Sequence, residues 1–139
     1  ARQLSGERSL IKAARCILEM GPRYLIIKKG EHGALLFHHG SEGLDYFFCP
    51  ALPLEDVVDP TGAGDSFAGG FIGHLAALGQ TDFEAMKEAV VVGSALASFT
   101  CEAFGAEGIS SVDPGALNAR LAQFRKMTLW EEQKVAVAV

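Results

Sequence analysis

Apolar residues first recur at helical spacing. Leu10, Ile11, Ala14, Ile17 and Leu18 share one face, and Gly21-Pro22 ends the pattern. The period then changes. "RYLIIKK" (23–29) is a short apolar run whose continuity predicts a strand covered on both faces. "GEHG" (30–33) predicts a turn, and "ALLFHH" (34–39) and "LDYFFC" (44–49) flank "GSEG" as the arms of a hairpin. "DVVD" (56–59) predicts a further short strand. Helical spacing returns from about Asp65 to Leu78, with Phe67, Phe71, Leu75 and Leu78 on one stripe. Ala68, Gly69, Gly70, Gly73, Ala76 and Ala77 fill the rest, a surface suited to close approach despite a cost of roughly 1 kcal/mol per interior glycine. Asp82 is placed to cap another helix, on which Met86, Val90, Gly93 and Ala97 repeat and which reaches Phe99 or beyond. "FGAEGISSVD" (104–113) predicts a loop. Asp113 as N-cap with Pro114 at the first helical position starts a last helix, striped by Leu117, Leu121 and Phe124. Alternating helices and short strands predict an α/β fold with a largely parallel sheet, one domain to about residue 126 and a tail over 127–139 that carries Trp130.

Composition narrows the classes. With 49% apolar and 21% charged residues the chain can pack a core. A net charge of -5 argues against a general nucleic-acid-binding surface. No apolar run approaches the roughly 20 residues of a membrane span. Cys16, Cys49 and Cys101 are widely spaced and form no CxxC pair, so a disulfide framework or zinc site is not expected, and a cytoplasmic location is. His38 and His39 are expected to face solvent from the hairpin, and His74 to sit on a helix surface.

The candidate chemistry gathers in "DVVDPTGAGDSFAGGF" (56–71). A helix begins with backbone N–H groups that lack partners, and its aligned dipoles place about half a positive charge there. Glycines on the approach let a ligand reach the main chain. Thr61-Gly62-Ala63-Gly64 therefore reads as a cradle for an anion such as phosphate. Asp65 suits a second substrate: an ionised carboxylate can accept the proton of a hydroxyl that attacks a phosphoryl group held by those amides. The same residues also fit a plain helix cap. No G-x-x-x-x-G-K-[ST] is present, so this is not a P-loop. A dinucleotide fingerprint would want glycine at Phe67 and an acid at the end of a following strand, and no strand is predicted before Asp82 or Glu84.

"DPTGAGDSFAGGF" (59–71) resembles the C-terminal signature of the ribokinase-like, or PfkB, carbohydrate kinases. "IIKKGEHGALL" (26–36) resembles the strand, turn and strand around the nucleotide in that family, and "GSALASFTCEAFGAEGISS" (93–111) the helix and loop that close over adenine and a monovalent cation. The resemblance implies a mostly parallel central sheet with helices on both faces. It covers about the C-terminal half of the family, so a fragment of a longer kinase is expected. The other half normally holds most sugar contacts, the lid strands and an N-x-x-E motif near magnesium.

Carried over residue by residue, the resemblance implies that Asp65 is the base toward a hydroxymethyl group of a sugar or nucleoside. Gly62, Ala63 and Gly64, with the Asp65 N–H, become an anion hole. Lys28, Gly30, Gly33 and Ser94 fall on the nucleotide side, although Lys28 also fits a solvated strand end and the glycines a plain turn. Asp59, the carbonyls of Thr61, Thr100, Ala103 and Gly105, and the Ser110 hydroxyl match a potassium site, with the spacing at Ser110 one residue off. ATP is the implied donor, with Mg2+ bridging its phosphates, and homodimers through the lid strands are a common assembly. A non-catalytic nucleotide-binding module and, more remotely, an NAD-dependent dehydrogenase are the rival classes.

Overall fold

In the computed structural model, which describes residues 1–129, the chain runs α1 (Arg2–Ser5), α2 (Leu10–Glu19), β1 (Tyr24–Lys28), β2 (Ala34–Gly40), β3 (Gly43–Cys49), α3 (Ala63–Leu78), α4 (Phe83–Cys101), α5 (Glu107–Ser110) and α6 (Pro114–Thr128). Trp130 and most of the expected tail lie outside the described residues. Local chemistry sets the helix starts. Ser9 accepts from the Lys12 N–H, Asp82 from Ala85 and Asp113 from Ala116, each side chain satisfying a donor of its helix's first turn.

The strands form one sheet in the order β1-β2-β3, and both pairings are antiparallel. The expected parallel pairing is absent among the described residues, for a reason of chain length. Residues 29–33, which include a 3-10 turn over Gly30–His32, join β1 to β2, and Ser41-Glu42 join β2 to β3. A parallel crossover needs roughly a dozen residues or more.

Alternation along β2 gives the sheet two apolar faces. Ala34 and Leu36 pack with Val90 and Ala95 of α4 and Phe124 of α6. Phe37 points the other way, onto Ala14 and Leu18 of α2. Helices thus cover both faces, as an α/β layer arrangement requires. The same alternation corrects the expectation for His38. Its ring stacks on both Tyr24 (4.9 Å) and Phe83 (5.3 Å) in a three-ring cluster, with Nδ1 buried and unpartnered among the described residues, while His39 is exposed.

Helix α3 lies directly on α4. A Cβ on Gly93 would sit 2.7 Å from the Phe67 carbonyl oxygen, and one on Gly70 3.2 Å from the Gly93 Cα. Only paired glycines allow this approach, which seats the helix carrying Asp65 against a helix with seven buried residues.

Two loops differ from expectation. Residues 56–59 are not a strand: the N–H groups of Val58 and Asp59 donate to the Cys101 carbonyl (2.8 and 3.3 Å). The segment satisfies the open C-terminal end of α4 instead of a sheet edge. Within 104–113, Glu107–Ser110 form the short helix α5, because Gly108 can press against the Phe99 carbonyl where a side chain could not. No strand lies between α3 and α4, so the βαβ unit of a dinucleotide-binding fold is absent among the described residues, which counts against the dehydrogenase class.

Candidate active site

The site is built around the first turn of α3. Asp59 accepts the Thr61 N–H at 2.9 Å, fixing the entry to the turn. Hydrogen bonding from Thr61, its hydroxyl first and its N–H second, holds the Asp59 carboxyl below the ordinary carboxylate range. Gly62 is the N-cap, at φ +83°, and makes no side-chain cap. This left-handed backbone favours glycine and turns the chain into the helix. Ala63 N–H donates to the Pro60 carbonyl (3.1 Å), and Asp65 and Ser66 N–H groups donate to the Gly62 carbonyl (3.0 and 2.9 Å). The N–H groups of Gly62 and Gly64 have no partner among the described residues.

Asp65 stands at the third position of α3, so it is not the helix cap. Its carboxylate is exposed and has neither a hydrogen bond nor an ion pair among the described residues. It lines, with Ser66, a groove of about 570 Å³ floored by Val92 and Leu96 of α4. An unpaired carboxylate beside two unpaired amides, at the positive end of a 16-residue helix, is an arrangement for holding an anion next to a proton acceptor.

Lys28 joins this corner across 36 positions of sequence. Its ammonium donates to the Gly64 carbonyl at 3.3 Å and lies 5.5 Å from the Phe67 ring centroid. The end of β1 thereby delivers a cation to the anion cradle. The two turn glycines differ. Gly30 (φ +58°) faces open space, whereas Gly33 (φ +84°) lies where a Cβ would meet the Pro50 Cα and Ala51 nitrogen at 2.7 Å. Gly33 is thus needed for the crossing of residues 49–51. Ser94 reaches the same crossing: its hydroxyl donates to Val90 (2.8 Å) and accepts from the Cys49 thiol (3.5 Å). Burial pushes the Cys49 thiol up, against a smaller opposing effect of Ser94, so Cys49 is a packing residue.

The residues matched to a cation site are partly gathered. Asp59 is tied to the C-terminal turn of α4 through the Cys101 carbonyl, which places it beside Thr100 and Ala103. The Thr100 carbonyl takes a long bond from the Ala103 N–H (3.5 Å) and is also faced by the Glu102 N–H. No basic residue occupies the last turn of α4. An ionised carboxylate among helix-end carbonyls suits a hard monovalent cation. Gly105 turns the chain beyond α4 (φ +58°), and the Ser110 hydroxyl donates to the Glu107 carbonyl (3.2 Å) inside α5. No cluster of three or more His, Cys, Asp or Glu side chains occurs among the described residues, so a side-chain cage for a transition metal is absent there. His74 is half-buried between helices, with Nε2 at 3.5 Å from the Glu88 carboxylate.

Two contacts had a sequence signal that composition and motif hide. Arg120 lies on the apolar stripe of α6, between Leu117 and Phe124. It donates to Ser98 Oγ (2.9 Å) and Glu102 (2.6 Å), with its guanidinium 4.0 Å from the Phe99 ring centroid. Thr100 ends the buried stripe of α4 and bonds the Ser66 hydroxyl (2.7 Å).

Comparison with known proteins places the chain. The family described as "pfkB family carbohydrate kinase" matches residues 1–112. A cytidine kinase of Thermococcus kodakarensis is 40% identical over 74 residues, 52% of this chain and 25% of that protein. An aminoimidazole riboside kinase of Salmonella typhimurium is 36% identical over 104 residues, 75% of this chain and 31% of that protein. Among solved structures, aminoimidazole riboside kinase from Salmonella enterica, complexed with aminoimidazole riboside and an ATP analog, superposes with a TM-score of 0.69 at 34% identity, over 87% of this chain and 39% of that one. A Vibrio cholerae fructokinase, with fructose, ADP and calcium bound, shares the fold at a TM-score of 0.69 and 22% identity, over 86% of this chain and 37% of that one. The chain spans between a quarter and two fifths of the relatives named here.

Proposed function

The chain belongs to the pfkB family of carbohydrate kinases, and from that premise we propose that it carries the phosphoryl-transfer corner of an ATP-dependent kinase acting on a hydroxymethyl group of a sugar or nucleoside. The observation that carries the reading is the pair of amides, Gly62 and Gly64, that have no partner among the described residues, beside the Asp65 carboxylate, likewise unpaired there, at the start of α3. Asp65 accepts the proton of the acceptor hydroxyl as the hydroxyl oxygen attacks the phosphorus of the terminal phosphoryl group of ATP and the bond from that phosphorus to the bridging oxygen breaks, releasing ADP. The amides of Gly62 and Gly64 donate to the charge developing on that group; Ala63 and Asp65 amides join them by releasing their short local bonds. Donors of this kind are each worth roughly 3 kcal/mol in other enzymes. Lys28 adds positive charge at the same corner, and a loose transition state responds mainly to such positioning and charge.

Gly33 and Ser94 shape the nucleotide side through the 49–51 crossing, and Gly30, which faces open space, leaves its side of the turn clear for a ligand. Magnesium bound with the nucleotide would neutralise phosphate charge. A potassium ion at Asp59 and the carbonyls of Thr61, Thr100, Ala103 and Gly105 would brace the approach to Gly62, with Ser110 the member whose spacing departs by one residue, although its hydroxyl keeps its lone pairs while donating to Glu107. In this reading the mostly parallel part of the sheet comes from polypeptide beyond these residues, joining at β1, whose only partner among the described strands is β2. The same polypeptide would supply most contacts that choose the sugar or nucleoside. A phosphoryl-transfer screen of the complete polypeptide over sugars and nucleosides, with ATP, tests the proposal. Transfer to at least one primary hydroxyl is expected; tight ATP binding with no transfer to any acceptor would leave only a nucleotide-binding module.

A further inference from the structure

We infer that Thr100 is a positioning residue for the phosphoryl-transfer corner and acts through its side chain, an inference that rests on the function proposed above. Thr100 is 2% exposed, one of two buried polar residues in the described core. Its hydroxyl is 2.7 Å from Ser66 Oγ and 3.4 Å from the Leu96 carbonyl of its own helix. Its methyl group is the nearest atom to the space a Cβ on Gly62 would fill, at 3.8 Å. Ser66 in turn donates its N–H to the Gly62 carbonyl at 2.9 Å. Gly62, Ser66 and Thr100 therefore close a triangle, and Ala63, Gly64 and Asp65 are the residues strung between its first two corners.

The support beneath the triangle is rigid. Val90 and Ala95 of α4 are fully buried, and Gly93 presses on the Phe67 carbonyl. The next residue, Cys101, holds the approach segment through the N–H groups of Val58 and Asp59. Two successive residues of α4 thus grip both sides of the turn that aims Asp65 and the Gly62 and Gly64 amides. A carboxylate and its anion hole must keep a common geometry, and a side chain without substrate contact can set it. The carbonyl of Thr100, matched to a cation site, has no part in this role.

The test uses the complete polypeptide with Thr100→Val, which keeps the shape and loses the hydroxyl, Thr100→Ser, which keeps the hydroxyl, and Ser66→Ala, which breaks the same bond from the other side. Steady-state kinetics and hydrogen exchange over residues 62–66 are read together, with thermal midpoints as a folding control. In Thr100→Val and Ser66→Ala, kcat is expected to fall about 10- to 100-fold, with both KM values within about twofold and faster exchange at 62–66. Thr100→Ser should keep at least about half of kcat, and wild-type exchange. Unchanged kcat in Thr100→Val, unchanged exchange there, or an equal loss in Thr100→Ser overturns the inference. If the wild-type protein transfers no phosphoryl group, the functional reading fails, and exchange alone then decides whether Thr100 holds the turn.

Discussion

Asp65 occupies the third position of α3 with a glycine cap behind it, and that placement separates two uses of the same residue type. A capping aspartate spends its oxygen on the helix, as Asp82 and Asp113 do. Asp65 keeps both oxygens for something else. The distinction was half legible: "GAGD" announces a helix start, but only the φ of Gly62 shows which residue is the cap. Asp59 does the turn-fixing, and its charge has a pH signature. Because its folded-state pKa is depressed, its contribution is present above the ordinary value of 3.8 and is lost as pH falls through the lower folded value. Titration of this carboxyl followed by carbon NMR should centre below 3.8; a midpoint at or above it would remove the Thr61 bond from the account. Arg120 was hidden, because a charged residue on an apolar stripe is normally a boundary position. With its side chain 12% exposed and bonded to buried Ser98, Arg120→Leu should cost about 2–3 kcal/mol in denaturant unfolding. Arg120→Lys, which cannot reach both partners in one plane, should recover only part of that.

At the scale of elements, the α3–α4 crossing fixes where the first turn of α3 and Asp65 sit. Helical periodicity found both helices, and the small residues along α3 indicated a close neighbour. The partner contact, Gly70 on Gly93, required knowing how two separate stripes meet. Gly93→Val should destabilise by about 1–3 kcal/mol through overpacking against Phe67, and should also lower turnover by displacing the first turn of α3. Loss of stability with turnover per folded molecule intact would show that the crossing does not aim the site. The hairpin of β2 and β3 was legible from alternation and its turn. "DVVD" was not, because an extended apolar run looks the same whether it pairs with a strand or caps a helix. The direction of strand pairing within these residues was hard to read for a similar reason. A doubly covered strand gives an unbroken apolar run in either direction, and the short 29–33 link was the better guide.

At the scale of the whole molecule, helices on both sheet faces support a corner where β1, the approach to α3 and the end of α4 converge. The family was legible because its signature sets glycines at fixed spacing along the main chain. Substrate choice was not, since the chain spans only 31% and 39% of the Salmonella kinases it matches. Along α3, Ala68, Gly69, Ile72 and Ala76 are exposed, with Ile72 61% accessible. The 139-residue chain alone should therefore elute above monomer size in chromatography, and the complete polypeptide should not form that species. A monomeric elution of the isolated chain would mean that this face does not drive association. The most direct measurement is on Asp65→Asn in the complete polypeptide, with ATP binding followed by calorimetry and phosphoryl transfer by steady-state kinetics. Unchanged ATP affinity with kcat reduced about 10²- to 10⁴-fold is predicted; turnover near the wild-type value would contradict the assignment of Asp65 as the base.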